Sequence, residues 1–448
     1  MVPFEGDGSG VEELTWSQMT LWQSIEQSGQ SKTVPYVTEL PPGTSVDRVA
    51  AELRFMVGRH QSLRTRLVFD AGPVPRQRCA TSGEIPLEVV DAGDADPAEV
   101  AEQVSERYQK VDFAFETEWP VRMAVIRSGG VLTHQVLVIL HTAIDAYGLS
   151  ALWADLAARD PDTGAAAGPV RATQPLEQAR KQASPAGQRH NTASLAYLER
   201  VLNTVSASRF GDPRYPGDRT INQITFHSPA ALLAIRSVAA RTGINTSPVL
   251  LASFAVGLAR FTGVNPVLAM LLVSNRFRPG LAAAVSPQIL LTPYLIDVAD
   301  ISLDEAVNRA TQSALNAYKN AYYNPYQQDE VIERVERRRG EEIDLSCFYN
   351  DRRQQDRGGA GEPPTVAEIT AALSRSTVSF TGEIHPPRRK LYFNVDELPG
   401  VIEFLVSADS RYFSLADMET LVRGVEAVAV ETALDGAVPT GVRDRATV

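Results

Sequence analysis

One histidine and one aspartate, His141 and Asp145, have the types and the spacing to do chemistry. The apolar residues 136–140 lead directly into the histidine, so they predict a buried strand that ends there. A neutral imidazole at a strand end can take a proton from an attacking nucleophile, which makes His141 a candidate general base. The spacing alone is a weak signal, because a histidine between a strand and a helix is more often structural.

The residues that follow predict a turn and then a helix, which together would hold the imidazole in place. Gly148 breaks the strand pattern. Apolar residues then recur at helical spacing, at Leu149, Leu152, Trp153 and Leu156. Other histidines and arginines are interpreted as structural: Arg59, His60 and Arg64 as a buried, hydrogen-bonded corner, and His134 as a surface residue.

Composition excludes several classes of protein. The 448 residues are 44% hydrophobic with a formal net charge of −11, which fits a globular protein and argues against a nucleic-acid binder. No apolar run could span a bilayer and the N-terminus has no signal-like pattern, so we expect a cytoplasmic protein without membrane contacts. Cys79 and Cys347 form no motif and no HExxH pair occurs, so we expect no metal site.

Strands and helices alternate along most of the chain, which predicts a mixed α/β (α+β) fold. Asp47 is expected to cap a helix that runs through Val57, and a last helix is expected from Ser414 to about Leu434. The predicted parts are an N-terminal lobe at 11–170 that carries His141, a connecting region at 160–190 with one helix at 175–183, a C-terminal lobe at 190–436, and disordered ends at 1–10 and 437–448.

Five segments, taken in order, resemble motifs of one family. Residues 59–67 (RHQSLRTRL) are the closest match, to RHExLRTxF, and residues 140–146 (LHTAIDA) match the signature HHxxxDG. The others are 15–22 (TWSQMTLW, against SxAQxRLW), 274–276 (SNR, after a helix and a strand) and 321–327 (AYYNPYQ, against HQDVPFE). Over nearly its whole length, the sequence resembles the condensation domains of nonribosomal peptide synthetases, within the chloramphenicol-acetyltransferase-like fold.

This resemblance implies two chloramphenicol-acetyltransferase-like lobes in a pseudo-dimeric V, with an active-site channel between them. His141 would act there, as a general base or a positioning group, on an acyl thioester that a carrier protein presents on phosphopantetheine. The chain itself would bind no cofactor. Asp145 would pair with Arg276 of the second lobe, and this structural ion pair would support His141.

Three departures from the family pattern mark where this chain differs from its relatives. Leu140 stands at the first histidine of the signature, and Ala146 replaces the glycine after the aspartate. Residues 286–294 (SPQILLTPY) lack the usual GxFVNTLP run. Ala146, Tyr147 and Gly148 are the candidate channel or substrate residues, although a packed aromatic is the simpler interpretation of Tyr147.

The leading functional interpretation is a stand-alone condensation enzyme of natural-product or antibiotic biosynthesis. No adenylation motif and no GGxS-type pantetheinylation site occurs in the sequence, so the donor would come on a separate carrier protein. A small-molecule amine or alcohol would accept the acyl group and give an amide or an ester. Two alternatives stay open: an acyl-CoA-dependent acyltransferase of the same superfamily, although its DFGWG motif is absent, and a non-catalytic recruitment domain.

Overall fold

The computed structural model describes residues 1–70, 72, 74–160, 163–215, 217–353, 362–384 and 389–444. They form two compact units, and both units mix helices with sheets, so the α/β prediction is confirmed. Unit 1 contains Met1–Thr192, Ser274–Leu290 and Tyr322–Tyr326, and unit 2 contains Ala193–Val273, Leu291–Ala321 and Gln327–Val448. Two segments inside the predicted C-terminal lobe therefore pack with unit 1 instead.

The helices and strands are numbered in chain order. The helices are α1 (Trp16–Ser28), α2 (Val46–Arg59), α3 (Pro97–Lys110), α4 (Ala146–Ala157), α5 (Pro175–Ala183), α6 (Pro185–Thr204), α7 (Pro229–Thr242), α8 (Thr246–Thr262), α9 (Leu303–Lys319), α10 (Pro325–Arg339), α11 (Val366–Ala372) and α12 (Leu415–Leu434). The strands are β1 (Val2–Glu5), β2 (Gly10–Glu13), β3 (Thr33–Glu39), β4 (Thr65–Val68), β5 (Arg76–Cys79), β6 (Ser82–Ile85), β7 (Leu87–Asp91), β8 (Val121–Ser128), β9 (Val131–Leu140), β10 (Ile221–Ser228), β11 (Val267–Ser274), β12 (Ile289–Ile296), β13 (Cys347–Asp351), β14 (Thr377–Ile384), β15 (Leu391–Leu398) and β16 (Val401–Asp409).

A four-stranded sheet of unit 1, in the order β3-β9-β8-β7, carries the candidate base. β9 pairs antiparallel with β3 on one side and with β8 on the other. Val136 and Val138 pack in a cluster with residues of α3, whereas Leu137 and Ile139 pack in a cluster with residues of α2. Both faces of the strand end are thus covered, which is why its sequence is continuously apolar rather than alternating.

The N-terminal segment is ordered, so the prediction of disorder at 1–10 is wrong. β1 pairs antiparallel with β6, and the Val2 and Phe4 side chains are buried. The fully buried Arg64 guanidinium donates to the carbonyls of Asp7, Gly8 (2.9 Å), Gly58 (3.3 Å) and Ala80. A buried cation without a carboxylate requires such acceptors, and the N-terminal segment supplies two of them.

The predicted corner at the closest motif match is confirmed. His60 Nε2 lies 3.0 Å from Asp155 Oδ2, and Arg59 Nη2 donates to the other oxygen of that carboxylate at 3.0 Å. Burial would raise the pKa of Asp155, but the hydrogen bonds from His60 and Arg59 outweigh it and hold this pKa well below its usual range. Together with Arg64, these groups connect α2 to α4 and to the N-terminal segment.

Unit 2 is built on a seven-stranded sheet in the order β12-β11-β13-β15-β16-β10-β14. Helices α7, α8 and α12 contribute Ile235, Phe254 and Val425 to its main core, against Phe393 and Phe404 of the sheet. The last helix begins after Ser414, which forms a capping box with Asp417, and ends at Leu434 as predicted. The cap of α2 is Ser45 and not Asp47, because the Ser45 side chain accepts from the Arg48 N–H.

The C-terminal end is partly ordered, contrary to the prediction for 437–448. Thr440 is buried and its hydroxyl donates to the Val298 carbonyl at 2.7 Å. Residues 445–448 lie outside the described part of the chain. Within that part, no single helix has the length and apolar composition to cross a membrane, and the pair α7 and α8, which passes only when joined, bends by 117°.

Candidate functional site

His141 lies one residue beyond β9, and backbone hydrogen bonds fix it on both sides. Its N–H donates to the Lys32 carbonyl at 2.7 Å, and the Leu140 N–H donates to the Pro120 carbonyl at 2.9 Å. The half-buried imidazole has Nδ1 2.7 Å from the Ile144 carbonyl oxygen. Because a carbonyl can only accept, Nδ1 carries the proton, and Nε2 of the neutral ring has the lone pair.

Leu140 is a buried packing residue at the end of β9. Its side chain is 4% exposed and lines a cavity of about 10 Å³ together with Ser62, Thr65 and Phe115. Ser62 Oγ is buried and has no hydrogen-bond partner among the described residues. The apolar residue at the first signature position is therefore part of the packed interior.

Asp145 is the N-cap of α4 and its side chain is fully buried. Oδ1 accepts from the Gly148 N–H at 2.6 Å and from Arg276 Nη2 at 2.5 Å, and Oδ2 accepts from the Gln288 N–H at 2.9 Å. Four residues after His141, the carboxylate is thus fully used in holding the turn and the first turn of α4. This geometry assigns it to architecture rather than to proton transfer.

The Arg276 guanidinium completes this arrangement. Nη1 donates to the Ala284 carbonyl at 2.5 Å, and Nη2 donates to the Ser286 carbonyl at 3.3 Å besides its ion pair with Asp145. The predicted pair is present, but Arg276 lies in the segment Ser274–Leu290 of unit 1, as Asp145 does. The expectation that this arginine comes from the second lobe is therefore wrong, because the chain returns to unit 1 after β11.

The three candidate substrate residues begin α4, and their environments differ. Ala146 is exposed. Tyr147 is half-buried, with its ring centroid 5.9 Å from the Arg276 guanidinium carbon. Gly148 is buried, and a Cβ atom there would lie 2.0 Å from the Val285 carbonyl oxygen. Gly148 therefore serves the close packing of the turn, whereas Ala146 and Tyr147 stay candidates for substrate contact.

Replacing Gly148 with alanine should destabilise the protein by about 3 kcal/mol, near the upper end of what overpacking costs. The new methyl can be accommodated only if the backbone around Val285 shifts, and this shift also displaces the Gly148 N–H from Asp145. Urea unfolding followed by circular dichroism measures the loss. Gly424→Ala is the matched control, because nothing lies within 4 Å of a Cβ at that position in α12 and the change should be neutral or slightly stabilising.

Glutamines complete the surroundings of the turn, and sequence reasoning missed most of them. Gln18 forms the capping box of α1 with Thr15, and its Nε2 donates to the Thr142 carbonyl at 3.2 Å. Gln178 and Gln288 are buried and hydrogen-bonded to each other. The family motif marked Gln18, and the i, i+4 spacing of glutamines in α5 was the one signal for Gln178.

Comparison with known proteins identifies the family of the chain. The model of the Condensation domain family matches residues 9–431. The AMB antimetabolite synthetase AmbB of Pseudomonas aeruginosa is 25% identical over 303 residues, which cover 65% of this chain and 24% of AmbB. The chain thus spans about a quarter of the length of that curated relative.

Solved structures share the fold at low sequence identity. A structure that describes condensation domain-mediated chain release from the enacyloxin polyketide synthase matches with a TM-score of 0.72 and 18% identity, over 97% of this chain and 84% of that chain. The X-domain from teicoplanin biosynthesis matches with a TM-score of 0.72 and 16% identity, over 98% of this chain and 99% of that chain. Since the family match extends over nearly the whole sequence, the chain belongs to the condensation-domain family.

Proposed function

We propose that this chain joins an acyl group, held as a thioester on the phosphopantetheine of a carrier protein, to an amine or hydroxyl acceptor. Condensation domains are amide-forming acyltransferases of nonribosomal peptide and polyketide biosynthesis. The observation that carries the proposal is the hydrogen bond between His141 Nδ1 and the Ile144 carbonyl. It holds the ring in the tautomer whose Nε2 can accept a proton or orient an acceptor N–H.

The proposed reaction is a direct transfer. The acceptor nitrogen or oxygen attacks the thioester carbonyl carbon, its proton passes to His141 Nε2, and the carbon–sulfur bond breaks to release the phosphopantetheine thiolate. That thiolate regains the proton from the imidazolium, so acyl carrier and acceptor give amide or ester and free carrier thiol. Neither cysteine fits a covalent intermediate, because Cys79 and Cys347 are buried and burial raises the pKa of both thiols.

The carrier protein in this proposal is a separate domain or chain, since no GGxS-type motif occurs within these 448 residues. The X-domain of teicoplanin biosynthesis, which shares this fold, has been solved in complex with OxyB, so recruitment of another protein is the main competing function. The His141 geometry favours catalysis, because a recruitment surface has no need of a fixed imidazole tautomer.

A reconstituted reaction with different donors tests the proposal. Carrier proteins loaded with a panel of acyl groups, and the matching acyl-CoA thioesters, are incubated either with soluble amines and alcohols or with acceptors bound to a second carrier protein. Product and free thiol are measured together. We expect turnover from acyl carriers with equal amounts of product and thiol. Turnover from acyl-CoA alone would identify a CoA-dependent acyltransferase instead. If only carrier-bound acceptors were converted, the expectation that the acceptor is a small molecule would be refuted.

A further inference from the structure

A pair of buried glutamines lies behind the Asp145 turn in unit 1. Gln178 of α5 is 1% exposed, and Gln288 is 0% exposed. Gln178 Nε2 donates to Gln288 Oε1 at 2.9 Å, and Gln288 Nε2 donates to Gln178 Oε1 at 3.0 Å. Each amide therefore satisfies one donor and one acceptor of the other, an arrangement with a fixed distance and a fixed orientation.

The backbone of Gln288 connects this pair to both members of the ion pair. Its N–H donates to Asp145 Oδ2 at 2.9 Å, and its carbonyl accepts from the Asn275 N–H at 2.9 Å, one residue before Arg276. Its side chain also donates to Ser286 Oγ at 3.0 Å. A displacement of Gln288 would therefore move the carboxylate and the guanidinium at once.

The far end of the network reaches the other side of the same turn. Gln182 of α5 donates through Nε2 to the Tyr322 hydroxyl at 2.9 Å, and its Oε1 accepts from the Trp16 N–H at 3.1 Å. Trp16 begins α1, and Gln18 of that helix donates to the Thr142 carbonyl. The turn from His141 to Asp145 is thus bound at one end by Gln18 and at the other by the Gln288 N–H. Helix α5 supports both ends, because Gln182 binds the start of α1 and Gln178 binds Gln288.

We propose that Gln178 and Gln288 are positioning residues, whose amide pair sets the place of Asp145 and, through the turn, of His141. Neither residue touches the reacting atoms in this proposal. The assignment rests on the proposed function in so far as His141 acts in the reaction. Gln288 lies within 286–294, the segment that departs from the usual family run.

The test separates positioning from stability by comparing one substitution with two. Gln178→Met removes the donor to the buried Gln288 Oε1, whose Nε2 keeps only Ser286 as an acceptor, so both stability and geometry should suffer. In Gln178→Met/Gln288→Met neither amide is left unpaired, so the unfolding midpoint should recover most of its loss, whereas the directional pair is still absent. A merely structural role predicts that stability and site geometry recover together.

Two readouts report the geometry without any substrate. The backbone N–H groups of Gly148 and of position 288 bind Asp145. Peptides that contain these two backbone amides should therefore exchange hydrogen about tenfold faster in both variants. The ¹⁵N signals of His141, assigned with His141→Ala, should change from one tautomer to a mixture. Gln109→Leu is the control, since this exposed glutamine of α3 bonds only to Ser105 of its own helix among the contacts described.

Unchanged exchange and an unchanged His141 tautomer in both variants would refute the positioning role, even if stability falls. Recovery of both readouts in the double variant would refute it as well. If Gln178→Met does not fold, Gln178→Asn carries the same expectation, because its shorter amide cannot reach the reciprocal pairing. Since neither readout needs turnover, failure of the donor assay and failure of this inference can be told apart.

Discussion

Replacing Arg276 with methionine should lower the free energy of unfolding by about 3–5 kcal/mol. The Asp145 carboxylate is 0% exposed, and without the guanidinium it would face only the backbone N–H groups of Gly148 and Gln288. An ionised carboxylate that is buried without a countercharge cannot regain its hydration, so the cost falls on the folded state. Urea unfolding followed by circular dichroism and by tryptophan fluorescence measures the loss.

An exposed ion pair of unit 1 provides the matched control. Arg127 and Asp91 form a two-bond pair with side chains that are 43% and 62% exposed, so Arg127→Met should barely move the unfolding midpoint. Adding Asp145→Asn to Arg276→Met should restore part of the loss, because asparagine keeps the cap acceptor and carries no charge. Equal shifts for Arg276→Met and Arg127→Met would show that the buried pair is not a structural support.

Replacing His141 with alanine should reduce turnover by about 10²–10⁴-fold in the acyl-carrier assay. The change removes the Nε2 acceptor proposed to take the acceptor proton, and it also removes the ring that the Ile144 carbonyl holds in place. Stability should change little, because the half-buried imidazole makes one hydrogen bond to the turn. Initial rates at saturating acyl carrier, normalised to folded protein, measure the effect.

Two further histidine variants refine this expectation. His134→Ala, within β9, should keep full turnover, since the half-buried His134 ring is hydrogen-bonded to Thr133 rather than to the Asp145 turn. His141→Gln separates the two possible roles, because its amide can orient an acceptor N–H but cannot carry away a proton. Activity of the glutamine variant well above that of alanine supports positioning, and equal loss supports a general base. Full turnover in His141→Ala would remove this residue from the chemistry.

Elements with strong local patterns were predictable from the sequence. The continuous apolar run before His141 became the buried end of β9, and the helix expected at 175–183 has these bounds as α5. The last helix ends at Leu434 as expected. In each case the signal is the period of apolar residues and a capping side chain, which act over one or two turns of chain.

The order of the N-terminal segment and the return of the chain to unit 1 at Ser274–Leu290 were not predictable in this way. Residues 1–10 are polar and Gly-rich, a composition that predicts disorder. They are ordered because the buried Arg64 guanidinium donates hydrogen bonds to the Asp7 and Gly8 carbonyls. The arginine partner of Asp145 was identified from a motif, but its membership of unit 1 depends on where the chain crosses between units after β11. Neither fact leaves a periodic trace in the sequence.

The sequence by itself determined the α/β class, the resemblance to condensation domains, and His141, Asp145 and Arg276 as the residues of interest. Only the tertiary structure decided that Asp145 is wholly engaged in hydrogen bonds, that Gly148 is a packing residue, and that α5 supports the turn. The physical reason is separation along the chain: Gln178 and Gln288, 110 residues apart, pair because packing brings them together. His141 and Asp145 can thus be identified from the local sequence pattern, whereas their geometry depends on residues that are distant along the chain.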